Sequence, residues 1–333
     1  MNNLAIDIHA HALIGAAEEI ARREDRWRRE AQEAARLAGK ESSEHNQRLM
    51  QTAYLAGMTR VEARLASMDS MGIDVQTVSP IPTQYYYWAE RAAAEQIVAA
   101  LNDGIAAICA SRPGRFVGLG GIALQFPELA AEQLEHAMQE LNLKGVIIST
   151  AVNGAELADP RFEVFWAKAE SLGAVVFIHP MGCSLGTRLT PYYFSNVIGN
   201  PTETTLALAH LIFSGMFDRH PNLKIVAAHG GGYFPFYTAR FDHGWHVRPE
   251  AHTCASAPSA YLRKIWFDSI VYEPAQLKYL IERAGAANVL LGTDFPFDMG
   301  MENPLGLLNS VTDLSDDDRQ MIRGGNASRL LGL

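Results

Sequence analysis

Ile6-Asp7-Ile8-His9-Ala10-His11 is the first apolar run of the chain, and it closes on two imidazoles. Side chains alternate along a β-strand, so His9 and His11 project from one face as a two-pronged clamp. A lone His-x-His pair also suits an ordinary surface strand, and its meaning rests on what the rest of the chain sets beside it. Three later strand-like runs end in a residue of the same ligand type, at His179, His229 and Asp294. Packing alone gives no reason for that recurrence.

The repeat behind it is regular. Apolar runs at 75–79, 116–120, 145–149, 174–179, 223–229, 265–268 and 288–294 read as strands after the first. Helical patterns lie between them, at 60–71, 88–110, 127–141, 159–172, 201–217, 233–245 and 274–283, and 316–331 reads as a closing helix. Continuous apolar strands suit a parallel sheet covered by helices on both faces, and eight such units are the count of a (β/α)₈ TIM barrel. The competing architecture is a doubly wound open sheet, which calls for a phosphate-type glycine loop after its first strand. Here that strand ends in His-x-His, and Gly230-Gly231-Gly232 lacks both the P-loop lysine and the G-x-G-x-x-G spacing. The expectation is one barrel over 1–333, with a polar, Ala-, Glu- and Arg-rich helical insertion at about 13–58 that reads as a solvated face or a cover over the barrel mouth.

Composition narrows the function classes. The chain has 333 residues, 48% of them hydrophobic and 20% charged, which is the profile of a soluble α/β protein with a large core. A formal net charge of -9 argues against a nucleic-acid or anionic-membrane partner, and leaves room for a local cationic pocket for an acid. No apolar run is read as approaching the roughly 20 residues of a membrane helix, and Leu4-Ala5-Ile6-Asp7 has no signal-peptide layout. Cys109, Cys183 and Cys254 make no Cys-x-x-Cys pair and suit a reducing compartment. A cytoplasmic location is expected, with Cys109 in the core.

In a TIM barrel the functional residues stand at the C-terminal ends of the strands. His9, His11, His179, His229 and Asp294 all take that position, so they converge on one mouth. Neutral imidazoles with a carboxylate and no thiolate suit a catalytic Zn²⁺ with an open position, and Mn²⁺ fits the same donors. One divalent metal is expected, zinc first and manganese as the alternative. Such an ion activates water or polarises a substrate oxygen.

On these residues the chain resembles the amidohydrolase superfamily. No lysine ends the fourth strand, which implies a mononuclear site. Within the superfamily it resembles the branch of 2-amino-3-carboxymuconate-6-semialdehyde decarboxylase and related metal-dependent aromatic-acid decarboxylases, such as those for γ-resorcylate and 5-carboxyvanillate. The shared wording is Met68-Asp69-x-x-Gly72-Ile73-Asp74-Val75-Gln76, Asn200-Pro201-Thr202-Glu203-Thr204, His229-Gly230-Gly231-Gly232 and Gly292-Thr293-Asp294-Phe295-Pro296-Phe297. The resemblance implies metal ligands at His9, His11, His179 and Asp294, catalytic roles for His229 as acid/base and for Asp294, and Arg240 as the arginine that reaches a substrate carboxylate across a dimer interface. It implies a homodimer or higher homo-oligomer and non-oxidative decarboxylation of a small unsaturated or aromatic carboxylic acid. A metal-dependent hydrolase or hydratase on the same site is the alternative.

Two positions depart from the family pattern. The Phe-Arg-type loop ahead of the Met-Asp-x-x-Gly helix has no counterpart, with Arg48 the nearest arginine, and Met181 stands where the family has a tryptophan. Other conspicuous residues take plain readings. His210 belongs to a helix surface or core, His220 to a helix end, Tyr85-Tyr86-Tyr87-Trp88 to packing over the rim, and Asp268 to a helix cap or to orienting a ligand. His243, His246 and His252 are assigned no role.

Overall fold

The computed structural model describes residues 4–333. Its barrel is built from two parallel arcs. One contains β1 (Ile6–Ala12), β2 (Val75–Pro80) and β3 (Phe116–Gly118), paired in that order. The other contains β4 (Gly145–Ile148), which pairs with β7 (Val175–Ile178) and then, in turn, β8 (Lys224–Ala227), β9 (Ile265–Asp268) and β10 (Val289–Leu290). Between β4 and β7 the chain makes a small antiparallel hairpin, β5 (Ala151–Val152) and β6 (Ala155–Glu156), which the apolar pattern does not predict.

Two seams join the arcs into a ring. Gly120 bridges to Val146, with Gly120 N donating to Gly145 O at 2.9 Å and Ile147 N to Gly120 O at 2.9 Å. Ala10 bridges to Phe295, with Ile8 N donating to Leu291 O at 2.9 Å, His11 N to Phe295 O at 2.7 Å and Asp294 N to His9 O at 2.8 Å. The strands are apolar on both faces because one faces the barrel interior and the other the helices. Val146 to Ile148 and Val175 to Ile178 are accordingly all buried.

The helices lie where the periodicity places them, with corrections set by glycine. Gly72 and Gly173, both left-handed, end the helices Val61–Met71 and Glu163–Leu172. The helix expected over 201–217 is two, Asn200–Phe213 and Met216–Arg219, divided at the left-handed Gly215. Helix Arg91–Ser111 is long and apolar enough by composition to cross a bilayer, contrary to the expectation. It covers the barrel with Ala94, Ile97, Leu101 and Ile105, all buried.

The segment after β1 folds into helices Gly15–Ala21, Asp25–Ala38, Lys40–Leu49 and Ala53–Thr59. Asp25–Ala38 buries no residue, as its alternating charges predict. The segment is tied to loops at the C-terminal ends of the strands. Thr190 Oγ1 donates to Leu37 O at 3.1 Å after β7, and His45 Nε2 lies 3.2 Å from Asp298 Oδ2 after β10.

β1 is not the regular strand its alternation suggests. Its register with β2 shifts between Asp7, opposite Gln76, and Ala10, opposite Val78, so Ile8 and His9 oppose Thr77 alone. This is a bulge, and the Asp7 carboxylate accepts from His9 N at 3.0 Å, satisfying an amide displaced from the ladder. Bulges re-aim side chains, and the residue re-aimed here is His9.

Candidate metal centre

His9 and His11 on β1, His179 after β7, His229 after β8 and Asp294 after β10 meet at the C-terminal mouth, as the strand ends predict. His9, His179, His229 and Asp294 each offer a donor atom within 4.8 Å of the other three. His11 adjoins this group, with Nε2 at 3.0 Å from His9 Nε2 and 3.2 Å from Asp294 Oδ1. His9 Nε2 is also 3.2 Å from Asp294 Oδ1, and His229 Nε2 is 3.4 Å from Asp294 Oδ2.

The hydrogen bonds on the far side of each ring decide what faces the centre. His9 Nδ1 donates to Asp268 Oδ2 at 2.7 Å, His11 Nδ1 to Pro80 O at 3.2 Å and His179 Nδ1 to Pro180 O at 2.8 Å. Carboxylates and carbonyls only accept, so each neutral ring carries its proton on Nδ1 and turns the Nε2 lone pair inward. Three lone pairs and a carboxylate oxygen then converge with no proton among them. Among the described residues, His179 Nε2 and Asp294 Oδ1 are buried without a hydrogen-bond partner. Such an array is stable only around positive charge, which is either a proton on a ring or a metal cation.

The titration directions agree. Burial opposes a charge on His9, but Asp294 and Asp268 carry its pKa up to about 10, making it the seat of a proton in metal-free protein. Burial pushes His179 well below the ordinary histidine value, with His11, His229 and His9 adding to the effect, and it lowers His11 too. Burial acts against ionised Asp294, yet the charge of His9, with the close approach of the His11 and His229 rings, holds it well below the usual carboxylate range. The donors fit a divalent cation of the zinc or manganese type, with imidazole and carboxylate oxygen and no thiolate.

His229 differs from the other three histidines. Its Nε2 faces the Asp294 carboxylate, an acceptor, while its Nδ1 is buried with no partner among the described residues, so one nitrogen of this ring is uncommitted. It stands at φ +55°, at the head of the glycine turn. Asp268 binds that turn, accepting from His229 N and Gly230 N, both at 2.8 Å, while also holding His9. Asp268 therefore orients a candidate ligand and caps a turn at once. Gly230, Gly231 and Gly232 all have positive φ, and a β-carbon on Gly232 would lie 2.2 Å from Pro201 O. The run is a tight backbone fit against the Asn200-Pro201-Thr202-Glu203-Thr204 segment. Glu203 in turn accepts from Ser184 N at 2.7 Å and Ser184 Oγ at 2.6 Å, pinning the loop after β7.

Aromatic residues surround the mouth. Phe297 lies 5.2 Å from the His11 ring and Tyr54, from the segment after β1, 6.2 Å from Phe297. Burial and the charges of Asp298 and Asp294 push Tyr193 up to about 12. Burial raises Tyr54, Tyr85 and Tyr272 as well, with Asp294 contributing to each. Sequence pattern marks none of Tyr54, Tyr193 and Tyr272: the first lies on the short helix Ala53–Thr59 and the other two in segments that connect strand to helix. Tyr85, Tyr86 and Tyr87 are buried rim packing as expected, with Tyr85 Oη donating to His179 O at 3.2 Å.

Arg240 is exposed on helix Phe234–Val247 and makes no hydrogen bond or ion pair among the described residues. Arg48 is likewise exposed, on helix Lys40–Leu49. Neither reaches the centre within this chain. Met181 is exposed on the loop after His179. His210 is on a helix surface 3.6 Å from Glu156, and His220 is clamped between Glu163 at 2.6 Å and Glu170 at 2.9 Å. Cys109 packs at the edge of the core, where burial pushes its thiol up to about 11.

The chain is similar over 274 residues, at 38% identity, to 2-amino-3-carboxymuconate-6-semialdehyde decarboxylase of Dictyostelium discoideum, covering 82% of this chain and 76% of that one. It is 29% identical over 289 residues to γ-resorcylate decarboxylase of Rhodococcus jostii (strain RHA1), covering 82% and 87%. The crystal structure of 5-carboxyvanillate decarboxylase from Sphingomonas paucimobilis superposes with a TM-score of 0.84 at 26% identity over the full length of both chains. The amidohydrolase family model matches residues 6–333, from the bulged first strand past the Asp294 seam, and the chain belongs to the amidohydrolase family.

Proposed function

We propose that this protein is a metal-dependent, non-oxidative decarboxylase of a small aromatic or unsaturated carboxylic acid. The observation that carries the reading is the pairing of two different kinds of histidine. His9, His11 and His179 have their Nδ1 protons committed and present lone pairs, whereas His229 beside them has an uncommitted buried nitrogen. The similarity to decarboxylases over most of the chain favours this chemistry over a hydrolase or hydratase.

In this reading His9, His11, His179 and Asp294 hold one divalent ion, zinc first and manganese as the alternative. The bound ion supplies Lewis acidity toward substrate oxygens and offsets developing negative charge. His229, as general acid, delivers a proton to the carbon that bears the carboxylate. A C–H bond forms there, the C–C bond to the carboxylate breaks, its electron pair restores the unsaturated system, and CO₂ leaves. Asp294 accepts from the His229 ring and keeps it oriented toward the reacting carbon. The Tyr54, Tyr193, Tyr272 and Phe297 wall suits a planar apolar substrate body.

Arg240 supplies the carboxylate fork from a second copy of the chain. Its exposure and lack of a partner within this chain favour that reading, and a guanidinium binds a carboxylate bidentately. The working enzyme is then a homodimer or higher homo-oligomer. A cytoplasmic location suits its three free cysteines.

The test is a panel of aromatic and unsaturated acids offered to protein reconstituted with Zn²⁺ or Mn²⁺. Release of CO₂ with one product per turnover is expected. Release of acid without carbon loss favours the hydrolase or hydratase, and full-rate CO₂ release by chelated protein overturns the mechanism.

A further inference from the structure

Arg64 is a buried cation with no carboxylate in contact among the described residues. It is 2% exposed, on the helix Val61–Met71 that packs outside the barrel. Burial of an unpaired charge is costly, so what its guanidinium touches calls for an explanation. Nη1 donates to Gln76 Oε1 at 2.8 Å, Nη2 donates to the carbonyl of His11, and the guanidinium lies over the Phe295 ring, 5.1 Å from its centroid. Gln76 passes the contact on, its Nε2 donating to Asp7 Oδ2 at 2.9 Å. Asp7 then accepts from His9 N, Thr293 N at 3.0 Å and Thr293 Oγ1 at 2.6 Å.

Every end of this buried chain is a neighbour of a residue at the metal centre. Arg64 holds the backbone of His11 and the side chain of Phe295, which follows Asp294. Asp7 holds the backbone of His9 and of Thr293, which precedes Asp294. The seam between His11 N and Phe295 O is thus gripped from outside the barrel by one planar cation.

We propose that Arg64, acting through Gln76 and Asp7, is a positioning residue that sets His11 against Asp294 and so tunes metal affinity. The inference rests on the reading of His11 and Asp294 as ligands. A lysine keeps the charge but has no planar fork to reach His11 O and Gln76 Oε1 together while covering the Phe295 ring.

Full-length wild type, Arg64→Lys, Gln76→Leu and, as a control, Phe217→Leu at a buried site away from the centre are stripped of metal and titrated. Mn²⁺ binding is read from the electron paramagnetic resonance of the free ion, and Zn²⁺ binding by competition with a chromophoric chelator. Arg64→Lys is expected to weaken binding by about 10- to 100-fold, the range for partners that orient ligands, with Gln76→Leu moving in the same direction. On substrate, kcat falls and KM does not. The control lowers Tm and leaves metal affinity in place. Wild-type affinity in both Arg64→Lys and Gln76→Leu, or an equal loss in Phe217→Leu, overturns the inference alone. Wild type that binds neither ion overturns the ligand reading and this inference with it.

Discussion

Asp268 Oδ2 lies 2.7 Å from His9 Nδ1, and that one contact turns the opposite nitrogen of His9, as a lone pair, toward Asp294. Four donors share the Asp268 carboxylate: His9 Nδ1, His229 N, Gly230 N and Ile270 N. An amide in its place presents hydrogens to at least one of them. Asp268→Asn is expected to weaken metal binding by about 10- to 100-fold and to lower kcat with it. Titration of metal-stripped protein checks the first effect, and turnover at saturating metal checks the second.

Metal removal has a proton signature. The folded pKa of His9, about 10, lies above its unfolded value of 6.5, so His9 contributes stability fully below pH 6.5 and loses it as pH rises through about 10. Near pH 7.5 the metal-free centre therefore holds a proton that a metal must displace. Calorimetric titration with Zn²⁺ in buffers of different ionisation enthalpy should show release of about one proton per ion bound. Release of none would contradict the protonated His9.

Arg240→Ala is expected to lower kcat/KM about 100-fold, the effect of about 3 kcal/mol, within the range for truncating one side of a hydrogen-bonded charge pair. Metal content should stay at the wild-type level. Mixing Arg240→Ala subunits with His229→Ala subunits should restore part of the activity, because one of the two mixed sites then has both groups. No recovery on subunit exchange counts against an arginine contributed by a neighbour.

At the opposite end of the barrel, His220 joins two carboxylates from one helix. The Asn222 amide, then His220, holds Glu170 below the ordinary glutamate value. Burial opposes ionised Glu163, but His220 and Arg219 hold it low as well. Both groups give stability that is present above the unfolded pKa of about 4.5 and is lost as pH falls through the folded values. His220→Ala is expected to cost about 2 kcal/mol at pH 7, from hydrogen bonds to charged groups, and less near pH 3. Urea unfolding at the two pH values checks it.

The sequence makes the barrel and most of the centre legible for one reason. Ligand-type residues at the ends of apolar runs are rare without a site, and four runs share the feature through His11, His179, His229 and Asp294. The bulge in β1 leaves no such mark, because Ile8 and His9 look like any alternating pair. Arg64 is equally silent, one of several arginines in helical segments whose burial is settled by tertiary packing alone. Asp7 was readable in principle, as a carboxylate inside an apolar strand two residues before His9. Tyr193 and Tyr272 sit at positive φ on loops, where long-range contacts override local pattern. Arg240 rests on resemblance alone, and within one chain it is exposed with no partner among the described residues.

The seam between β1 and β10 sets an order of assembly. His9 and His11 are made first and Asp294 nearly last, and their backbones meet only when the ring closes. A chain stopped before residue 294 has the four imidazoles of the centre but neither the Asp294 carboxylate nor the Phe295 carbonyl that pairs the His11 amide. A cation that favours the closed ring stabilises finished chains by mass action and gives nothing to unfinished ones. The clasp that equips the enzyme for chemistry is thereby also its proof of completion.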